Sequence, residues 1–121
     1  MNGDLINRLL NGPRMLVGLG SIAAPHQAFR GAGLDTGKNP QLPFMTRMFG
    51  VRDLALGAGA LTTSGDERRR WLQMAVMADA IDATAAIAGV RAGYLEPRTG
   101  AVMAVTAIGA TALGIVALAS D

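Results

Sequence analysis

The sequence predicts an all-α protein, a four-helix transmembrane bundle running up-down-up-down, and three observations predict it. Half of the 121 residues are apolar and only 17% are charged. The resulting mean hydropathy of +0.32 is above that of an ordinary soluble domain. Apolar stretches of about twenty residues recur, each long enough as a helix to cross the ~30 Å hydrocarbon core of a bilayer. The Pro, Gly and turn-forming residues fall between those stretches. A chain of this length makes one domain, residues 1–121, and not two.

The first helix is expected at about 5–24. It must carry Arg8, Asn11, Gly12, Pro13 and Arg14, so it either crosses with a kink at Pro13 or lies partly on the surface before a short tilted span. Crossing is the favoured reading. Pro25 to Pro43 follows as a Gly- and Pro-rich loop, long enough to cover one mouth of the bundle. The second helix is expected at 44–63, with Arg47 near its entrance and Arg52-Asp53 near its centre, and Ser64-Gly65-Asp66 after it. The third, 71–92, is opened by Arg68-Arg69-Arg70 and closed by Arg91, with Trp71 and Tyr94 placed like interfacial anchors. Its interior charges are Asp79 and Asp82. The fourth, 100–119, has no formal charge and ends before Ser120 and Asp121. Connections over Ser64 to Arg70 and Arg91 to Thr99 are short, which makes neighbouring helices antiparallel.

Four crossings return both termini to one side. The loop charges divide evenly, and only the tight run Arg68 to Arg70 favours a cytoplasmic placement of the termini. The localisation expected is multi-pass, in the inner (plasma) membrane. Met1 to Asn11 lacks the basic region, long apolar core and small-residue cleavage site of a signal peptide.

Composition narrows the function classes. With no cysteine there is neither a disulfide framework nor a thiolate metal site. The net charge is +2, but the basic residues form no stripe and are not interleaved with aromatics, so nucleic acid is not an expected partner. The partners expected are the lipid bilayer, a lipophilic small molecule, and a homo-oligomer or other membrane protein. His26 reads as a solvated loop residue, the methionines as adaptable packing, and Gly18-x-Gly20 lacks the strand a nucleotide loop needs. No cofactor or metal is expected. The small-residue steps Ala55/Gly59, Ala85/Gly89/Gly93 and Ala110/Gly114 read as helix-packing surfaces.

The informative residues are the charges inside apolar segments, because a charge near a bilayer midplane costs several kcal/mol unless it is paired. Counting rise from the shared turn puts Arg52 and Asp82 at one depth, roughly 16 Å below the interface. Asp79 lies one turn nearer that interface on the same face as Asp82. The expected core is therefore Arg52 forked onto Asp79 and Asp82, a geometry available to Arg and not to Lys. One Arg against Asp53, Asp79 and Asp82 leaves excess negative charge. An acid is then protonated, or the site holds a cation, or Arg47 and Arg91 reach in from the interfaces as ion-pair or ligand-binding groups. Asp53 points about 100° away from Arg52 on an ideal helix, toward Thr or Asn of the first helix or a water-filled pocket.

The stretch Arg47-Met48-Phe49-Gly50-Val51-Arg52-Asp53-Leu54-Ala55-Leu56-Gly57, with Arg70-Trp71-Leu72 and Ala78-Asp79-Ala80-Ile81-Asp82-Ala83, carries a resemblance. It resembles a family of small, uncharacterised four-helix membrane proteins common in actinobacteria, classed as a domain of unknown function. The resemblance covers the chain from about Arg14 onward. It implies membrane location and treats Arg52, Asp53, Asp79 and Asp82 as one unit, and it supplies no reaction.

Three functional readings follow. The first is an accessory, scaffold or ligand-binding bundle organised by the Arg-Asp network. The second is a membrane enzyme using Asp53, Asp79 and Asp82 as acids and bases on a lipophilic substrate. The third is a proton-coupled small transporter. It is weakened because the first helix has no acid beyond Asp4, and aromatics to line a cation pocket are few.

Overall fold

The computed structural model describes residues 2–120, which form four α-helices and one short 3-10 turn and, among the described residues, no strand. The helices are α1 (Gly3–Ala23), α2 (Leu42–Thr62), α3 (Gly65–Ala92) and α4 (Pro97–Ala119). Asp121, expected to close the last segment, lies outside the described residues.

Each boundary has a local cause. Asn2 caps α1, its side-chain oxygen accepting from the Asp4 N–H at 2.8 Å, which satisfies one of the donors a helix start leaves free. The helix then runs through Pro13 without interruption. Pro43 sits in the first turn of α2 and Pro97 opens α4, positions where the missing N–H costs nothing. The third helix is longer than expected. It begins at Gly65, so Arg68, Arg69 and Arg70 are helical and the connection from α2 shrinks to Thr63 and Ser64. Asp66 and Glu67 in its first turn oppose the positive end of the helix dipole. It ends at Gly93, whose φ of 86° gives the left-handed cap that lets its N–H reach Gly89 and Val90 carbonyls.

The packing follows one rule: small and polar residues face inward. In α1 the buried positions include Asn7, Asn11, Arg14, Gly18 and Ser21, and in α2 they include Thr46, Gly50, Asp53, Gly57 and Ala60. Both series alternate steps of four and three, the spacing of helices wound around one another. The two series meet antiparallel: a Cβ on Gly18 would lie 2.7 Å from the Gly50 carbonyl oxygen and from the Leu54 nitrogen. At the other end, a Cβ on Gly57 would lie 3.0 Å from the Asn11 carbonyl oxygen. The second hairpin is made in the same way, with Gly100 against Val90 and Gly114 against Val76. The α1/α2 and α3/α4 pairs are in extensive contact, whereas α1/α4 and α2/α3 meet less closely and α1 and α3 not at all along the backbone. The bundle is thus two tight hairpins laid side by side. Ile6, Ala60, Leu72 and Ala117, backed by Trp71 and Leu118, close the end that holds the α2–α3 turn.

Large apolar side chains point outward instead. Leu9, Leu16, Met48, Val51, Met77, Ile81, Val105, Ile108 and Ile115 are all more than half exposed. Two of the helices, α3 and α4, are long and apolar enough to cross a membrane.

Of the small-residue steps read from the sequence, Gly59, Gly89 and Gly114 are buried against Trp71, Tyr94/Leu95 and Val76, while Ala55 and Ala85 are exposed. The long loop carries its 3-10 turn, Arg30–Ala32, and leans on the start of α4, where Gly33 leaves no room for a Cβ beside the Thr99 hydroxyl. His26 bonds Thr36 within that loop at 3.0 Å and is exposed.

Candidate functional site

Two arginines and three aspartates meet between the hairpins. Arg14 of α1 forks onto Asp79 of α3, donating from Nη1 to Oδ1 at 2.9 Å and from Nη2 to Oδ2 at 2.5 Å. Arg52 of α2 forks onto Asp82 of α3 in the same manner, at 2.9 and 2.6 Å. Asp53 lies between them: its Oδ1 accepts from Arg52 Nη2 at 3.3 Å and is 3.7 Å from Arg14 Nη1. Paired forks of this kind are the strong form of the Arg–carboxylate contact.

The expectation of one Arg52 clamp on both Asp79 and Asp82 is therefore corrected. Arg52 holds Asp82, while Asp79, buried at a depth Arg52 does not serve, is held by Arg14. Asp53 faces α1 as expected, but it meets an arginine there instead of a Thr or Asn. Arg47 and Arg91 do not reach in. Arg47 donates from Nε to the Ile22 carbonyl at 3.2 Å, at the C-terminal end of α1, and Arg91 is exposed in the last turn of α3.

Arg14 was legible as a charge but not as a member of the network, since it follows Gly12-Pro13 and reads as part of a helix defect. The signal that finds it is the spacing of Asn7, Asn11 and Arg14, which share one face of α1. They form a ladder: Asn7 donates to the Ala60 carbonyl at 3.0 Å, Asn11 donates to Asn7 Oδ1 at 2.7 Å, and Arg14 Nε donates to Asn11 Oδ1 at 3.1 Å. The ladder orients the guanidinium along its stem, so that its two terminal nitrogens present squarely to Asp79.

Arg52 is held differently. The face of Phe49 lies 4.7 Å from its guanidinium carbon, and Phe29 from the long loop meets Phe49 edge-on at 5.2 Å. This is a cation–π stack braced by a second ring. The Arg52 Nε has no hydrogen-bond partner among the described residues. All the residues of the Phe49-Gly50-x-Arg52-Asp53 motif have a place: ring, helix contact, fork and bridge.

Above this network the hairpins part. A cavity of about 620 Å³ lies between them, with Arg14, Asp53, Asp79 and Asp82 on its floor. Its walls are apolar, from Val17 on α1, Ala86 on α3, and Val102, Met103, Thr106 and Ala107 on α4. Phe29, Leu34 and Tyr94 from the two loops line its outer end. The volume falls in the range of sites that hold small molecules. Among the described residues no group of three or more acids or histidines is disposed to hold a metal ion, and the forks occupy the carboxylates that could have contributed to one.

No protein-family model, curated protein or solved structure matches the chain, so the resemblance drawn from its motifs rests on those motifs alone.

Proposed function

We propose that this chain is an integral membrane protein, crossing the bilayer with all four helices, and that it binds a lipophilic small molecule in the cavity between its hairpins. The cavity carries the binding reading: an apolar chamber that ends on a fixed polar floor suits a molecule with a long greasy part and one polar end. Asp79 and Asp82 each have both oxygens engaged by an arginine. That supports a role as floor over a role as acid or base.

The membrane reading is supported by the direction in which residues point. The most apolar 18-residue stretches of α3 and α4 are only 28% and 17% buried, the reverse of a core helix in a water-soluble protein, and exposed apolar surface on this scale calls for a covering. Glycine and alanine instead of leucine fill the interface, as they do where helices associate in lipid. Of the polar residues that lower the hydropathy of α1 and α2, Asn7, Asn11, Arg14 and Asp53 are buried inside the bundle and Arg52 is half-buried, while the exposed Arg8 and Arg47 lie toward helix ends.

A photoreactive dodecanol bearing a diazirine tests both parts on the full chain in phosphatidylcholine nanodiscs. The expected result is labelling of Met103 and Ala107, which line the cavity and are not exposed, in addition to Val105 and Ile108 on the belt. Labelling confined to the belt would sink the cavity reading, and failure of the chain to enter nanodiscs would sink the membrane reading.

A further inference from the structure

The charges on the cavity floor do not balance. Arg14 and Arg52 face Asp53, Asp79 and Asp82, a formal sum of one negative charge if every group is ionised. The remaining arginines nearby are committed elsewhere, Arg47 to the Ile22 carbonyl and Arg91 to the exterior. A charge left over in surroundings of low polarity draws an opposite charge to it strongly.

The unspent acceptor can be located. Four of the six carboxylate oxygens take the two forks, and Asp53 Oδ1 takes the cross-contacts. Asp53 Oδ2 accepts no hydrogen bond among the described residues, although Asp53 is 6% exposed and lines the cavity. That oxygen is not among the fully buried unpartnered atoms, so it is open to a donor that enters from outside the network. The cations are engaged in the opposite sense: every nitrogen of Arg14 has at least one acceptor, and Arg52, whose Nε has no partner among the described residues, is not part of the cavity lining. An anionic head group would find no free cation on this floor and would meet three carboxylates.

Resting on the cavity reading above, we infer that the ligand is a single-chain amphiphilic amine, its ammonium donating to Asp53 Oδ2 and its hydrocarbon tail lying along Val102, Met103 and Ala107. Binding gives the floor its missing positive charge and makes a charge-assisted hydrogen bond where none exists. The volume of about 620 Å³ accommodates a single hydrocarbon chain of this kind. The phosphate of a phospholipid would face the aspartates.

The experiment is competition against the cavity labelling by photo-dodecanol, with the full chain in phosphatidylcholine nanodiscs at neutral pH and competitors matched by their mole fraction in the bilayer. Dodecylamine is expected to suppress labelling of Met103 and Ala107 at a level at least about tenfold lower than dodecanol, with dodecanoate weaker than either. Equal potency of amine and alcohol overturns the inference while leaving the cavity reading in place, whereas an unlabelled cavity removes both. Asp53→Asn should erase the advantage of the amine and leave competition by dodecanol unchanged; an advantage that survives in Asp53→Asn overturns the assignment to Asp53. The comparison of competitors on the unaltered chain decides the matter even if that variant does not fold. Phosphatidylethanolamine added to the nanodisc should not suppress the labelling, and if it does, the amine is a lipid head group and the single-chain assignment falls.

Discussion

Arg14 and Asp79 join two helices whose backbones do not touch. They lie on α1 and α3, diagonal members of the bundle, and the fork between them crosses the gap that separates the hairpins. With both side chains under a tenth exposed, the pair acts as a cross-brace: neither hairpin can rotate against the other without leaving a bare charge in the interior.

Removing one end of that brace should therefore cost more than removing one end of the other. Arg14→Ala leaves Asp79 buried without a partner, at about 3–5 kcal/mol. Arg52→Ala also strands a carboxylate at membrane depth, but the Arg52 side chain is 37% exposed and Asp82 34% and Asp82 borders the cavity, where it can be hydrated, so the cost should be smaller, about 2–3 kcal/mol. Thermal unfolding of both variants in one detergent measures the order, and a larger loss for Arg52→Ala would contradict it. The double variant Arg14→Met with Asp79→Leu should recover most of the stability lost by Arg14→Ala, since no charge is stranded.

The asparagine ladder predicts a gradient along α1. Asn11 is both donor to Asn7 and acceptor from Arg14. Asn11→Leu should then cost about 1–3 kcal/mol through two unpaired polar groups. Asn7→Leu likewise unpairs two groups, the Ala60 carbonyl and Asn11 Nδ2, but both are neutral and the bond to the charged Arg14 stays intact. Its loss, read in the same melting experiment, should be the smaller.

Two glycines separate close approach from open space. Gly18→Ala puts a methyl group 2.7 Å from the backbone of α2, where nothing flexible can yield, and should part the first hairpin at about 1–3 kcal/mol. Gly109 in α4 has no neighbour within 4 Å of an added Cβ, so Gly109→Ala should be neutral or stabilising by up to about 1 kcal/mol, from its better helix propensity. A melting shift of the same sign and size for both would be inconsistent with the packing described.

The absence of cysteine allows the crossing pattern to be read by single substitutions. Lys38→Cys, in the long loop, and Asp66→Cys, at the start of α3, should react with a membrane-impermeant maleimide from opposite faces of sealed vesicles. Val105→Cys, 70% exposed on the belt, should resist the reagent until detergent is added. Reaction of Lys38→Cys and Asp66→Cys from the same face would rule out α2 as a crossing helix.

Much of this was legible along the chain because it depends on period and punctuation. The four helices lie within a few residues of their expected places except at α3, where Asp66 and Glu67 favour a helix start that the turn-like Ser64-Gly65-Asp66 concealed. Counting rise was enough to bring Arg52 level with Asp82, since one turn joins their helices and fixes a common origin. The partner of Asp79 was not legible. A diagonal contact depends on how far each helix is rotated and on which helix stands opposite, and no local spacing specifies either. The cavity was hidden for the same reason, being the space left when two hairpins sealed by Gly18, Gly50, Gly57, Gly100 and Gly114 are set side by side.

What the sequence determined by itself was helix count, approximate ends and the presence of charges that need partners, all consequences of residue type acting over a few turns; which small residues face inward it gave only in part, since Gly59, Gly89 and Gly114 are buried but Ala55, Ala85 and Gly93 are exposed. Tertiary structure alone decided that Arg14 takes Asp79, that Asp53 bridges two arginines through one oxygen, and that Asp53 lines an apolar chamber. Those relations join residues dozens of positions apart, and they exist only once helix rotation and order are set by the packing of whole faces.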